Sequence, residues 1–215
     1  LSELAPALRK QIRYRVSGSE NADDIAEGRE QALAIVKGKS VEELKQACRE
    51  IVDNRMLQKS YADTIELASM HLAAGQQVWL VSATPVQIGQ ALAETLGFTG
   101  ALGTVAEEED GKFTGRLVGD ILHGPGKKHA VAALAALQQL DLSKCTAYSD
   151  SVNDLPMLNM VGSPVAVNPD RALRKHAKAQ GWAVRDYRSM RRVVRAGVVP
   201  AVLAAAGLWW WRRRR

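Results

Sequence analysis

Hydrophobic and polar positions follow two different patterns along the chain. Residues 1–60 are polar, with apolar positions at helical spacing, such as Leu44, Ala47 and Ile51 after the Ser-Val-Glu-Glu capping box that begins at Ser40. We therefore predict a small helical unit, in which one helix ends at Gly38 and the next follows Ser40. No strand pattern of any strength is present in this segment.

From residue 61 onward, strand patterns alternate with helical ones. Residues 78–81 are continuously apolar, which is typical of a strand buried on both faces of a parallel sheet. Thr84 and Pro85 predict the next helix start, with Thr84 as N-cap and Pro85 at the first helical position. Asp110-Gly111 predicts a hairpin turn. The remaining predicted strands lie at 101–106, 105–109, 112–118, 145–148, 164–167 and 182–185, and the remaining helices at 126–140, 154–160 and 170–180.

This alternation predicts a three-layer α/β sandwich with a mostly parallel sheet. Candidate chemistry is therefore expected at the carboxyl ends of the strands. The predicted organisation is a helical cap over residues 1–60, an α/β core over 61–190 and a hydrophobic, basic tail over 191–215.

Composition narrows the class of protein. The chain has 215 residues, 47% of them hydrophobic and 24% charged, which excludes disordered, collagen-like and coiled-coil proteins. Two cysteines without metal-ligand spacing favour a reduced, cytoplasmic location. The net charge of +6 comes from residues 185–215, with nine arginines and one aspartate, since the other 184 residues carry 20 basic and 22 acidic side chains. We therefore predict no nucleic-acid partner.

The basic tail has a chemistry of its own. Residues 196–211 form an apolar run of 16 residues that ends in three tryptophans, followed by four arginines. As a helix this run spans about 24 Å, less than the roughly 30 Å of a bilayer core. Tryptophans beside arginines suit a membrane interface. Peripheral membrane contact through residues 196–215 is one prediction, and a tail that is docked on the core or unattached is the other.

Three strand ends carry candidate chemistry, and the first is the segment from Ser82 through Ala83 and Thr84. A hydroxyl at a strand end, followed at once by a helix start, offers a side-chain donor and free backbone N–H groups. This arrangement favours an anion, above all phosphate. A simple helix cap explains the segment equally well.

The second strand end leads to Lys127 and Lys128, which follow Gly124-Pro125-Gly126. The segment is not a P-loop, because Ile121 stands where glycine is required and Lys128 where Ser or Thr is required. A lysine held at a helix start can neutralise a phosphate, although it opposes the helix dipole. A solvated lysine is the alternative.

The third strand end carries two carboxylates, Asp150 and Asp154, four residues apart across a predicted strand-to-helix loop. Both can face one cavity. Oxygen ligands of this kind suit Mg²⁺, which commonly takes one or two protein carboxylates together with water and substrate phosphate. The alternative makes both aspartates helix caps.

Together these segments resemble the haloacid dehalogenase (HAD) superfamily, and within it the phosphoserine-phosphatase-like subclass IB hydrolases of actinobacteria. The resemblance covers residues 20–195 and rests on Val-Ser-Ala-Thr-Pro at 81–85, Gly-Lys at 126–127 and Ser-Asp-Ser-Val-Asn-Asp-Leu-Pro-Met-Leu at 149–158, in that order. It implies a phosphomonoester hydrolase with a Rossmann-like core, a helical cap and a small phosphorylated metabolite as substrate.

The resemblance also implies residue roles. Ser82 would hydrogen-bond the transferring phosphoryl group, and Lys127, with Lys128 as second choice, would stabilise its charge. Asp150 would bind Mg²⁺, and Asp154 would either assist the metal site or orient Lys127. The substrate-binding set that the resemblance implies is Ser82, Ala83, Thr84, Lys127 and Asn153.

One family motif is missing from these 215 residues. The family's first strand ends in Asp-x-Asp-x-Thr, which holds the nucleophile, and no Asp-x-Asp occurs here. Because the chain also begins with Leu1 instead of Met, we expect a fragment without the central first strand. Strands lie about 4.8 Å apart, so its absence would leave a gap of roughly 10 Å or bring its neighbours into direct pairing. The isolated fragment is expected to be inactive and marginally stable.

The sequence leaves the substrate open. Phosphoserine phosphatases carry an arginine before a cap segment that ends in Lys-Gly, and Ala32 stands at that place here, with Arg29 nearly one turn earlier. Alanine cannot make a bidentate contact to a substrate carboxylate. The sequence therefore predicts a Mg²⁺-dependent phosphomonoester hydrolase, with a noncatalytic phosphate-binding or scaffold module on the same fold as the alternative.

Overall fold

The computed structural model describes residues 29–30, 33–57 and 62–187. The α-helices that lie wholly within these ranges, labelled in chain order, are α1 Val41–Ile51, α2 Ala62–Ala73, α3 Val86–Leu96, α4 Pro125–Leu137, α5 Leu155–Leu158 and α6 Arg171–Ala179. Its strands are β1 Trp79–Pro85, β2 Gly100–Thr104, β3 Ala106–Glu109, β4 Lys112–Leu117, β5 Thr146–Ser149, β6 Ser163–Val167 and β7 Ala183–Arg185. A π-helical turn, Val52–Met56, follows α1, and short 3₁₀ turns at Leu142–Lys144 and Val152–Asp154 flank β5.

The strands form two parallel sheets and one hairpin. β1 pairs with β2, and β5, β6 and β7 pair in that order, all in parallel register. The mixed α/β architecture with parallel sheets is confirmed. Within the described ranges β1 and β5 each pair along one edge only, and they do not pair with each other. The direct pairing that the sequence left open therefore does not occur.

The prediction that the apolar run at 78–81 is buried on both faces is wrong. In β1 the residues from Trp79 to Ser82 are half-buried, and those from Ala83 to Pro85 are exposed. The physical reason is position, because β1 has a described neighbour on one edge only. By contrast, Val165, Ala166 and Val167 of β6, which has a strand on each side, are all buried.

The predicted helix start at Thr84 is also wrong. β1 continues to Pro85, which pairs with Thr104 of β2 after an irregularity in register, and the Thr104 hydroxyl donates to the Ala83 carbonyl at 2.8 Å. This pairing holds the segment extended, so α3 begins at Val86 with Pro85 as its N-cap.

The core lies between the three-stranded sheet and its crossover helices. Leu158 of α5, Ala166 of β6, and Leu173 and Ala177 of α6 are fully buried against one another. The helix predicted at 154–160 is shorter, because a 3₁₀ turn precedes α5, and in this turn the Asn153 N–H donates to the Ser151 hydroxyl. The helix predicted at 170–180 is confirmed.

The helical unit is tied to the hairpin of β3 and β4. Ser40 caps α1 by accepting from the Glu43 backbone N–H at 3.4 Å, as predicted. Asp110 and Gly111 both have positive φ, 49° and 73°, so the predicted hairpin turn is confirmed. The Phe113 N–H donates to the Lys39 carbonyl at 3.1 Å, which joins the start of α1 to β4.

Some predictions lie outside the described residues. They include Ala32 and the tail with its membrane contact at 196–215. In the ranges that are described, no helix has the length and apolar character to cross a bilayer. The domain boundaries at residues 60 and 190 and the cytoplasmic location stay predictions.

Candidate active site

A lysine and a carboxylate meet at the carboxyl end of β5. The Lys127 ammonium lies 2.8 Å and 2.9 Å from the two carboxylate oxygens of Asp154, and the two side chains are only 13% and 9% exposed. Gly124, with φ of 50°, turns the chain into α4 and places Lys127 in its first turn. The carboxylate compensates the unfavourable position of a cation at the positive end of the helix.

Ser149 completes the contacts of this carboxylate. Its hydroxyl donates to Asp154 Oδ2 at 2.7 Å and accepts from the Ser151 backbone N–H at 3.1 Å. Asp154 stands at the N-cap position of α5 but makes no side-chain cap bond. The helix-cap alternative therefore does not describe Asp154, whose oxygens instead hold the lysine and the serine.

Asp150 directly follows β5 and is exposed, and a second aspartate, Asp170, contacts the same loop. The Asp170 backbone N–H donates to the Asp150 carbonyl at 2.8 Å. The Asp170 carboxylate accepts from the Val152 N–H at 2.8 Å and from the Leu173 N–H at 2.7 Å. Sequence reasoning missed the first of these carboxylate contacts, because an aspartate before a helix signals only the cap to Leu173.

Ser82 lies in the middle of β1 and is half-buried. Its oxygen accepts from the Thr84 backbone N–H at 3.2 Å and from the Thr84 hydroxyl at 3.1 Å. The Thr84 backbone N–H, which was expected to bind an anion, therefore donates to Ser82 instead. Ala83, between these two residues, is exposed. Within the described part of the chain, hydrogen bonds join Lys127 to Asp154 but join Ser82 to neither. The convergence of Ser82 with the other residues stays a prediction.

The remaining candidates differ in their surroundings. Asn153 is half-buried, and its N–H donates to the Ser151 hydroxyl at 3.3 Å, while its carbonyl lies near Gly124. Lys128 is exposed, one position beyond the buried lysine. These contacts favour Lys127 over Lys128 as the residue that faces the loop after β5.

Tyr148 precedes this loop and links it to α2. Its hydroxyl lies 2.6 Å from Nε2 of His71, and the two rings meet edge to face. Burial raises the pKa of Tyr148, and the charge of Arg185 partly opposes that shift. Tyr148 therefore stays neutral at physiological pH, and this contact joins the segment before β1 to β5.

The fit of Mg²⁺ to this region can be judged from its donor atoms. Among the described residues, no three His, Cys, Asp or Glu side chains are grouped as a ready-made metal cluster. Mg²⁺ does not need one, since it is commonly bound by one or two carboxylates with water and phosphate. Asp150, an exposed carboxylate directly after β5, has the chemistry for that kind of site, and the Asp154 oxygens contact Lys127 and Ser149.

The described residues thus form an α/β protein with parallel strands, in which a lysine–carboxylate pair and a further acidic residue lie at the carboxyl end of β5. The chain matches the haloacid dehalogenase-like hydrolases over residues 2–159, most of its length. It therefore belongs to the haloacid dehalogenase-like hydrolase family.

Two curated relatives and one solved structure extend this result. The chain is 54% identical over 198 residues to phosphoserine phosphatase SerB1 of Mycobacterium tuberculosis, covering 92% of this chain and 64% of that protein. It is 34% identical over 160 residues to histidinol-phosphatase of Neisseria meningitidis, covering 73% and 72%. A protein of unknown function from Bordetella pertussis superposes with a TM-score of 0.71 at 31% identity, covering 83% and 79%. The chain spans less than two thirds of SerB1.

Proposed function

We propose that this chain forms the phosphate-binding core of an enzyme that hydrolyses small phosphomonoesters. The observation that carries the proposal is the Lys127–Asp154 pair at the carboxyl end of β5, beside Asp150. A half-buried ammonium fixed in this way can stabilise charge on a transferring phosphoryl group without reorganising. The names of the curated relatives, both phosphatases, support the same chemistry.

The proposed reaction has two displacements at phosphorus. A carboxylate oxygen attacks the phosphorus atom, the phosphorus–oxygen bond to the substrate alcohol breaks, and a general acid gives that alcohol its proton. Water then gives a proton back to the deprotonated general acid as its oxygen attacks the phosphorus of the acyl phosphate, which releases inorganic phosphate and restores the carboxylate. Lys127 would hold the phosphoryl oxygens by charge, and Ser82 would hold them by a hydrogen bond.

The attacking carboxylate would come from a further strand between β1 and β5. Both strands have an edge to which no described strand is bonded, and no Asp-x-Asp occurs among the 215 residues. SerB1, which is longer than this chain, supports the view that the active protein includes more residues than these. An apolar strand ending in Asp-x-Asp-x-Thr would add backbone hydrogen bonds to both edges and bring its acids to the carboxyl ends.

Asp150 is the residue that would hold Mg²⁺. When bound there, the ion would neutralise part of the phosphoryl charge. Asp154 would keep the Lys127 ammonium directed at the same group, since its two oxygens already bind that ammonium. Asn153, on the same loop, would contact the substrate.

The substrate class is a small phosphomonoester, and no single compound follows from these residues. The two curated relatives carry names that indicate different substrates, phosphoserine and histidinol phosphate. Ala32 also stands where a carboxylate-binding arginine was expected from the resemblance. Rates on phosphoserine and on phosphomonoesters without a carboxylate would separate these substrates directly.

The test compares two neighbouring lysines in the natural protein that contains this chain. With Mg²⁺ present, Lys127→Met should lower kcat for a phosphomonoester about 10²–10³-fold, the usual cost of removing one donor to transition-state charge. Lys128→Met, at the exposed neighbouring position, is the matched control and should stay within about twofold. Equal losses in the two variants would contradict the assignment, and phosphate binding without any turnover would favour the noncatalytic module instead.

A further inference from the structure

Asp170 makes two kinds of contact, only one of which a helix cap requires. The bond from the Leu173 N–H to its Oδ1, at 2.7 Å, is the cap of α6. Its other carboxylate oxygen accepts from the Val152 N–H, 18 residues away, and its own N–H donates to the Asp150 carbonyl. Asp170 therefore forms hydrogen bonds with the loop after β5 on both sides of Ser151.

The support beneath Asp170 is rigid. Asn168, two residues earlier, is buried and adopts a left-handed backbone conformation with φ of 47°. Its side-chain oxygen accepts from the Tyr187 N–H, and its N–H donates to the Arg185 carbonyl, both at 2.8 Å. The turn after β6 is thus hydrogen-bonded to the end of β7 and the residues after it, and Asp170 contacts the loop from this turn.

The loop that Asp170 hydrogen-bonds also contains Asp150, the proposed metal ligand. Asp150 is exposed and lies in the loop directly after β5, so the backbone contacts of this loop contribute to its position. On one side the Ser149 hydroxyl accepts from the Ser151 N–H, and on the other Asp170 bonds the Asp150 carbonyl and the Val152 N–H. Groups that orient a metal ligand affect affinity strongly even though they never touch the metal.

We propose that Asp170 is a positioning residue that sets the Asp150 carboxylate for Mg²⁺. This inference rests on the proposed function, because it takes Asp150 as the residue that holds the ion. Asp170 itself touches neither the ion nor the substrate. Its effect is transmitted through the two backbone bonds to residues 150 and 152.

The experiment measures binding of Mg²⁺ alone to the natural protein that contains this chain, by titration calorimetry. Asp170→Ser keeps a good N-cap for α6, but its short hydroxyl cannot also reach the Val152 N–H. Asp170→Ala removes both contacts. We expect the Kd for Mg²⁺ to rise about tenfold or more in both variants, while only the alanine variant shows a clear loss in melting temperature. Excess Mg²⁺ should restore activity to the serine variant.

A matched control separates position from charge. Asp141 caps the 3₁₀ turn before β5 and lies at the opposite end of that strand, so Asp141→Asn removes the same charge without touching the loop. Its Kd should stay within twofold of the wild-type value. Hydrogen exchange adds a direct readout, since the Val152 amide should lose protection in Asp170→Ser.

Three outcomes would overturn the inference. They are an unchanged Kd in Asp170→Ser, an equal rise in Asp141→Asn, and no binding of Mg²⁺ by the wild-type protein. The proposed function is judged separately by turnover of phosphomonoesters. A wild-type protein that turns over with Mg²⁺, beside a serine variant of unchanged affinity, contradicts the role of Asp170 alone.

Discussion

The two parallel sheets of this protein differ in how deeply they bury similar apolar runs. In β6, which lies between β5 and β7, the residues from Val165 to Val167 are all buried. In β1, which has a described partner only in β2, the residues from Trp79 to Ser82 are half-buried. An apolar run therefore indicates that a segment forms a strand, whereas neighbouring strands on both edges determine how deeply that strand is buried.

Among the described residues, β1 and β5 each have one edge without a partner strand, and this has a physical consequence. Unpaired backbone groups on a strand edge are available for pairing with another strand, which proteins usually prevent by covering the edge. The two halves of the molecule are nevertheless joined, for example by the hydrogen bond between His71, before β1, and Tyr148 of β5. We therefore expect the sheet of β1 and β2 to be less stable than the sheet of β5, β6 and β7, in line with their burial.

The largest expected effect comes from truncating one leucine in each half of the 215-residue chain. Leu173 is fully buried beside β6, so Leu173→Ala should lower the free energy of unfolding by about 2–5 kcal/mol. Leu80→Ala, in half-buried β1, should cost clearly less. Urea denaturation measures both changes in the free energy of unfolding, and equal changes would contradict the inferred difference in burial between the two sheets.

The same two variants, Leu173→Ala and Leu80→Ala, can also be measured in the longer natural protein that contains this chain. If a further strand pairs with β1 in the natural protein, Leu80 gains apolar contacts there. The destabilisation by Leu80→Ala should then rise toward that of Leu173→Ala. A cost for Leu80→Ala that is the same in both proteins would count against a strand in that position.

The second prediction compares two carboxylates at opposite ends of β5. Asp154→Asn leaves the nearly buried Lys127 ammonium without its partner and should cost about 3 kcal/mol of stability. Asp141→Asn breaks an exposed contact with Lys144 and should cost much less. Chemical denaturation gives both values, and similar costs would mean that the Lys127 pair is solvated.

The third prediction concerns backbone hydrogen exchange. Amides of β6 bond within the sheet on both sides, whereas every second amide of β1 and β5 points toward an edge without a described partner. These edge amides should exchange at least about tenfold faster than those of β6 in the isolated chain. Adding an apolar peptide that ends in Asp-x-Asp-x-Thr should slow them, and uniform protection before the addition would remove the distinction between the sheets.

The smallest effect is expected at Tyr148. Because burial raises the pKa of this tyrosine above its ordinary value, its contribution to stability is complete below about pH 10. That contribution is lost as the pH rises through the folded-state pKa. Stability of the wild-type chain should thus fall more steeply above pH 10 than that of Tyr148→Phe, as followed by urea denaturation across pH, and parallel profiles would show that the hydroxyl is solvated.

Local signals predicted many elements of the fold. Ser40 caps α1 and Asp110-Gly111 makes the hairpin turn, because each of these contacts spans only a few residues. The start of α3 was missed since Thr84 and Pro85 also satisfy a strand, and the contact of Ala83 with Thr104 of β2 decides between the two. A partner 21 residues away leaves no local signal.

The candidate site shows the same division. Lys127 and Asp154 were selected from the resemblance, and their pairing across 27 residues agrees with the role of Asp154 as the group that orients the lysine. The second contact of Asp170 could not be predicted, since its sequence neighbours indicate only a cap. The use of Ser82 as an acceptor for the Thr84 N–H likewise emerged only once β1 was seen to continue past it.

By itself the sequence determined the alternation of helices and strands, the turn and cap residues, and the lysine and aspartates that belong at strand ends. These features depend on periodicity and on contacts within a few residues, which the chain encodes locally. Only the tertiary structure decided which carboxylate binds Lys127 and which aspartate hydrogen-bonds the loop after β5. It also decided which of the described strands have an edge without a partner strand. Those outcomes depend on residues far apart in the chain being brought together, and packing alone selects among the partners that the sequence offers.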